Sequence, residues 1–293
     1  MRDFDLAWPT TAAAAERAAR WICQAWTQRD EDDAGLAVDV LALGQLCRVL
    51  GLTSAAKEIE EQVASTVPEP AWAASNLLTA LLAAVGAVGQ ATAFSLSARR
   101  YLDVVGEIPA DDIGGANAML VHLALQRVRG PERVRVAVPA RHLSLGKTEQ
   151  IQQFLSRIEI ASGFGTFAVA ADAATPILLE GAAIAAFRLY DLPLGMRLLR
   201  ARRYLGGVAS YGTSTGFDFL RLCQCEDGSF GDYDTALAAM AVRGRRNDRL
   251  RLKLPVTFQA LWTMAELEDP HFALVRSVFH REHEQRHIAS VRC

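Results

Sequence analysis

Gly216-Phe217-Asp218-Phe219-Leu220-Arg221-Leu222-Cys223-Gln224-Cys225-Glu226-Asp227-Gly228-Ser229-Phe230-Gly231-Asp232-Tyr233-Asp234 reads as the end of an amphipathic helix, a tight reversal and the start of another helix. Gly228 and Gly231 allow the positive φ that such a reversal needs. Phe230 is an apolar plug for the gap between neighbouring helix pairs. Gln224 is long enough to reach backbone groups left open at a helix end. Asp234-Thr235-Ala236-Leu237 then restarts as an apolar helix.

Working outward, nearly every segment carries the helical period. Mixed helices (Ala12 to Gln28, Phe94 to Val105, Thr148 to Ile158, Leu194 to Leu205, Phe217 to Gln224) alternate with apolar ones. The apolar set is Ala34 to Leu50, Trp72 to Val88, Ala116 to Arg127, Ala173 to Tyr190, Thr235 to Val242 and Pro255 to Leu267. Pair starts recur about every 40 residues, the spacing of tandem helical hairpins. Half-wet helices would form an outer layer and dry helices an inner one. Val134 to Val138 is the one candidate extended segment, and no low-complexity linker divides residues 1–293. The expectation is one all-α domain.

The reversal at Gln224 to Gly231 resembles the Gln-Trp repeat of squalene and hopene cyclases and of protein prenyltransferase β subunits, with Phe230 in place of the usual Trp. That resemblance implies a single α/α toroid of about five or six hairpins. Its inner helices would share a direction and gather their N-termini at one mouth of a central cavity. Acidic residues open several apolar helices here, among them Asp32, Asp33, Asp112, Asp172 and Asp234. Each suits a helix cap. Together they would also make an anionic rim over an apolar well, a ligand site.

Asp30-Glu31-Asp32-Asp33 has the Asp-x-Asp-Asp spacing of class II terpene cyclases, followed here by Ala34-Gly35 where that family has Thr-Ala. By position, Asp32 would be the proton donor to an alkene or epoxide, with Asp30 and Asp33 raising its proton affinity or relaying protons. The structural alternative is a solvated charge run with a cap. The expected substrate wall is Asp112, Asp234, Tyr233, Phe258 and Trp262. Aromatic residues are only 8% of the chain, thin for stabilising carbocations, and Trp21 and Trp26 read as helix core.

Other motifs are weaker. His283-Glu284-Gln285-Arg286-His287 matches His-Glu-x-x-His, with His280 one turn earlier. That spacing suits zinc on a helix, but no third ligand follows, and an exposed tail helix explains it as well. No Asp-x-Cys occurs, against a prenyltransferase zinc site. Gly212-Thr213-Ser214-Thr215-Gly216 matches a nucleophile elbow by letter but is expected to be a loop between helices. Ser162 to Phe167 reads as a degenerate copy of the 227–231 turn. No cofactor and no metal are expected.

Charge is nearly balanced at −2 and 51% of residues are apolar, which argues against nucleic acid as a partner. Leu77 to Gly89 is too short an apolar run to span a bilayer. The first residues lack a signal-peptide core, and five cysteines without a secretion signal read as reduced thiols in the cytoplasm. Two functions stand: an isoprenoid-type cyclase, isomerase or lyase, and a non-catalytic toroid. The latter would bind an apolar small molecule or a peptide, or serve as an accessory subunit, with a homodimer or a partner protein in view.

Overall fold

Thr10 begins the described chain by capping its first helix, its side chain accepting from the Ala13 N–H at 3.2 Å. The computed structural model describes residues 10–29, 33–63, 77–87, 93–107, 148–166, 169–206, 210–239, 245–269 and 271–278. Its helices are α1 (Thr11–Thr27), α2 (Ala34–Val49), α3 (Thr53–Val63), α4 (Leu77–Ala87), α5 (Ala93–Glu107) and α6 (Thr148–Ala161). They continue with α7 (Ala174–Arg188), α8 (Leu192–Tyr204), α9 (Tyr211–Leu222), α10 (Asp234–Ala239) and α11 (Arg245–Glu268). No β-strand is present among the described residues, so the fold class is all-α. The expected extended segment at 134–138 lies outside them. So does the apolar helix expected from Ala116.

The packing order is α5 on α4, α4 on α2, α2 on α11, α11 on α8 and α8 on α6. This makes an arc whose two ends are α5 and α6. α1 and α3 lie behind α2, and α7 and α9 behind α8. The first helix meets the end of α11: the Thr11 N–H donates to Glu268 Oε2 at 3.1 Å. Inner α2 and α4 are dry, with Leu43, Leu46, Leu81, Leu82 and Val85 buried, as their continuous apolar sequence requires.

The 223–231 reversal forms as the glycines and the aromatic dictate. Gly228 and Gly231 take φ of 97° and 87°. Asp227 Oδ1 accepts from the Ser229 N–H (2.9 Å) and hydroxyl (2.6 Å), and Gln224 pairs with Phe230 in an isolated antiparallel bridge. Phe230 is fully buried and its N–H donates to Thr257 Oγ1 of α11 at 3.0 Å. Gln224 does not serve an open helix end. Its Nε2 donates to the Ala14 carbonyl inside α1 and to the Gly228 carbonyl, both at 2.9 Å, while Arg17 donates to its Oε1. The turn thus fastens the C-terminal third of the chain to the first helix.

Three expectations change. Apolar α7 is not an inner helix: Ile177 is 72% exposed, and Leu178 and Ile184 are exposed with it. Basic α8 is the buried member of that pair, with Met196, Leu198, Leu199, Arg200 and Arg202 inside. The physical reason is pairing: Arg197, Arg202 and Arg203 of α8 form ion pairs with Glu159, Glu180 and Glu266 on other helices, which removes their need for water. Residues 211–216 are the first turns of α9, not a loop, so Ser214 sits exposed on a helix with none of the strand–turn geometry of a nucleophile elbow. Finally, Pro255 lies inside α11 and does not open it. The helix begins ten residues earlier by number, at Arg245, and the proline leaves the Arg251 carbonyl without its helical donor.

Candidate functional site

α2, α4, α6, α8 and α11 converge on a cavity of about 440 Å³. Its apolar wall is Leu78, Leu254, Phe164, Phe258 and Trp262; its polar wall is Asp39, Thr79, Ser156, Glu159, Arg197, Arg200 and Gln259. The volume falls within the usual range for small-molecule sites.

The aromatic wall is held from behind. The Trp262 indole N–H donates to Glu266 Oε1 at 2.7 Å, and Glu266, fully buried, also pairs with Arg203 at 3.3 Å. Burial raises the Glu266 pKa, against the charges of Arg203 and Arg200. Phe164 and Phe258 flank the indole with ring centroids 6.1 and 6.0 Å away. Phe164 follows α6 in the left-handed region, φ 52°, a conformation that costs a bulky residue energy and concentrates at functional sites. Its N–H donates to the Glu159 carbonyl at 2.8 Å. The Ser162–Phe164 turn is therefore the C-terminal closure of α6.

The two cavity arginines differ. Arg197 forks onto Glu159, Nε to Oε1 at 3.0 Å and Nη2 to Oε2 at 2.6 Å, with Ser156 and Gln152 completing its bonds. That pair is internally neutral. Arg200, 2% exposed, stacks its guanidinium 4.2 Å over the Trp262 ring. Its Nη1 donates to Thr263 Oγ1 at 2.5 Å and to the Gln259 carbonyl at 3.4 Å. Among the described residues no carboxylate forms an ion pair with it, and its Nε and the Gln259 Oε1 lack hydrogen-bond partners.

Asp39 faces this arginine-bearing space from α2. Burial, and then the negative charge of Asp33, push its pKa up to about 7, and no hydrogen bond from the described residues opposes them. A carboxyl in that state is poised for proton transfer near neutrality. It is the one acid in an otherwise apolar stretch, Leu36-Ala37-Val38-Asp39-Val40-Leu41, and that interruption is the signal sequence reasoning passed over.

Of the expected acidic motif, Asp33 is described. It caps α2, accepting from the Leu36 N–H at 3.1 Å and from Arg251 Nε and Nη2 at 3.1 and 2.7 Å. Burial alone would raise its pKa; the Leu36 N–H and the Arg251 guanidinium outweigh that and hold it below the ordinary value. Asp172 is likewise a cap, for α7. Asp30, Asp32, Asp112 and His280, His283 and His287 lie outside the described residues. Phe258 and Trp262 come together on the cavity wall. Asp234 opens α10 on the surface and Tyr233 packs beside Gly231; neither lines the cavity. Trp21 and Trp26 are buried in the core. Arg197, Arg200, Glu159, Gln259 and Phe164 are cavity residues that the sequence did not announce.

Among the described residues no group of three or more His, Cys, Asp or Glu is placed to hold a metal. No helix among them is long and apolar enough to cross a membrane. Comparison with family models, with curated proteins and with solved structures finds no match.

Proposed function

We propose that this chain is an acid-initiated isomerase or cyclase of isoprenoid-type substrates, built as a ring of helical hairpins around the cavity, with Asp39 as the proton donor. The observation that carries this reading is a carboxyl whose pKa burial raises to about 7, in a cavity also lined by Phe164, Phe258 and Trp262. Such an acid is a feeble donor to a bare alkene. It is better matched to an epoxide or allylic oxygen, whose basicity rises as the C–O bond breaks. The Asp39 proton passes to that oxygen, the C–O electrons follow, and a carbocation forms against the aromatic faces. The oxygen leaves as water from an allylic alcohol or stays as the hydroxyl of an opened epoxide. Attack by a neighbouring double bond moves the cation, and loss of a proton from carbon to the Asp39 carboxylate quenches it and restores the acid, a redox-neutral cycle.

Full-length protein incubated with linear prenyl alcohols and their terminal epoxides should give rearranged products. Asp39→Asn should lower turnover at least a hundredfold, the scale of a general acid. An Asp39→Asn enzyme with undiminished turnover ends the assignment; Asp32→Asn run in parallel tests the motif residue.

A second reading, a ligand-binding protein without chemistry, is favoured by Asp33, held ionised in a capping role. Binding of the same prenyl compounds without conversion would select it. In either reading the protein works in the cytoplasm, consistent with its free buried thiols at Cys23, Cys47 and Cys223. It acts as a homodimer or beside a partner, for which exposed Ile177, Leu178 and Ile184 of α7 provide an apolar face.

A further inference from the structure

We infer that the cavity takes an amphipathic molecule bearing one carboxylate, seated on Arg200, with its apolar body against Phe258 and Trp262. This rests on the cavity being the ligand site, not on Asp39 being an acid catalyst.

The charge balance leads there. Glu159 answers Arg197 through two bonds at 3.0 and 2.6 Å. Glu266 is held by Arg203 and by the Trp262 indole. Arg200 is left with an aromatic face, a hydroxyl and a backbone carbonyl, and with no carboxylate among the described residues. A guanidinium stays charged in a protein interior, and a buried charge without an ion-pair partner is costly; the charge of Glu266 reaches Arg200, but that carboxylate is paired with Arg203. The neutral partners of Arg200, and a carboxylate shared with Arg203, soften that cost without giving it an ion pair of its own.

A single anionic group cancels it. The planar fork of arginine matches a carboxylate. A diphosphate would bring excess negative charge to a site with one uncommitted cation and a neighbouring aspartate. A neutral head would leave the guanidinium as it stands. Leu254, Phe258 and Trp262 cover the apolar remainder.

Three C15 probes sharing one body separate the head groups: farnesoate, farnesol and farnesyl diphosphate, each titrated into the full chain by calorimetry and by Trp fluorescence. Farnesoate should bind at least about tenfold more tightly than either of the others, the scale of a charge-assisted hydrogen bond. Arg200→Met should bring farnesoate and farnesol to within about threefold, and Arg200→Lys should keep part of the preference. Circular dichroism checks that both variants fold, and if Met does not, the Lys variant alone must show a reduced preference. Equal binding of farnesol, tighter binding of the diphosphate, or a preference indifferent to Arg200 overturns the inference. Binding of none of the three overturns it together with the ligand-site reading. Tight farnesoate binding, with no turnover of the prenyl alcohols and their epoxides, leaves it standing and removes only the catalytic proposal.

Discussion

Replacing Asp39 with Asn should stabilise the protein, and increasingly so as pH rises. The carboxyl titrates near 3.8 when exposed and at about 7 in the fold. Below 3.8 it is protonated in both states and contributes no difference. Between 3.8 and about 7 the folded chain holds a proton that the unfolded chain releases, so each step up in pH weakens the fold. Above about 7 both forms are ionised and the loss levels off. At 1.36 kcal/mol for each factor of ten, the loss is about 1.5 kcal/mol at pH 5 and about 4 kcal/mol at pH 8. Asn does not titrate and escapes it. Urea unfolding of both proteins at pH 5 and pH 8 should therefore show the variant's relative stability growing by about 2.5 kcal/mol between them. Asp33 and the other acids titrate in both proteins and largely cancel in the difference. A gain half as large would still carry the reasoning. A difference that stays flat or shrinks from pH 5 to pH 8 would refute it, because Asp39 would then be an ordinary ionised carboxylate.

Asp33→Ala removes the α2 cap and the Arg251 pair and should cost about 1 kcal/mol in urea unfolding, since the half-exposed ion pair adds little to the cap. The same change withdraws a negative charge from Asp39, so a carboxyl-carbon NMR titration should show the Asp39 midpoint falling. Gly228→Ala places a Cβ 2.4 Å from the Arg17 carbonyl at φ 97° and should destabilise by about 3 kcal/mol, read by thermal and urea unfolding. Phe230→Ala should cost about 3–5 kcal/mol. Phe230→Trp, the residue of the Gln-Trp pattern, should still cost about 1–3 kcal/mol, because the pocket around Phe230 is closed to solvent and sized for the smaller ring.

What could be read from the sequence was local. The 223–231 reversal depends on residues within its own span, and its glycines, its Asp227 bonds and its buried aromatic follow from that stretch alone. Asp33 likewise declares itself as a cap three residues from the N–H it accepts. The reach of Gln224 to Ala14 spans 210 positions, and no spacing rule foretells it. The same limit explains α7 and α8. Arg197 meets Glu159 across 38 positions and Arg200 meets Thr263 across 63. Read alone, α8 is a basic helix and belongs in water, while α7 is apolar and belongs inside. Tertiary pairing reverses both. Asp39 lies between these cases: its isolation among apolar neighbours is visible in one dimension, but the direction it faces is not.

The two described acids of α2 show why the cavity reads as more than a packing flaw. Asp33 and Asp39 share one helix, yet their environments drive them in opposite directions. Asp33 stands at the N-terminus, where the Leu36 N–H and Arg251 favour its charge. Asp39 lies beyond the first turn, past the reach of unsatisfied backbone N–H groups, and burial disfavours its charge. The ionised cap also raises the proton affinity of the interior acid, so Arg251, by answering Asp33, limits how far that influence extends. In the proposed reaction, two carboxylates separated in this way would divide the roles of fixed anion and mobile proton. An apolar residue at 39, and another at 200, would fill the same space without the desolvation cost that a lone acid and a guanidinium without an ion pair impose. Stability alone therefore gives no reason for either, whereas a ligand that accepts a proton from one and a charge-assisted bond from the other gives a reason for both.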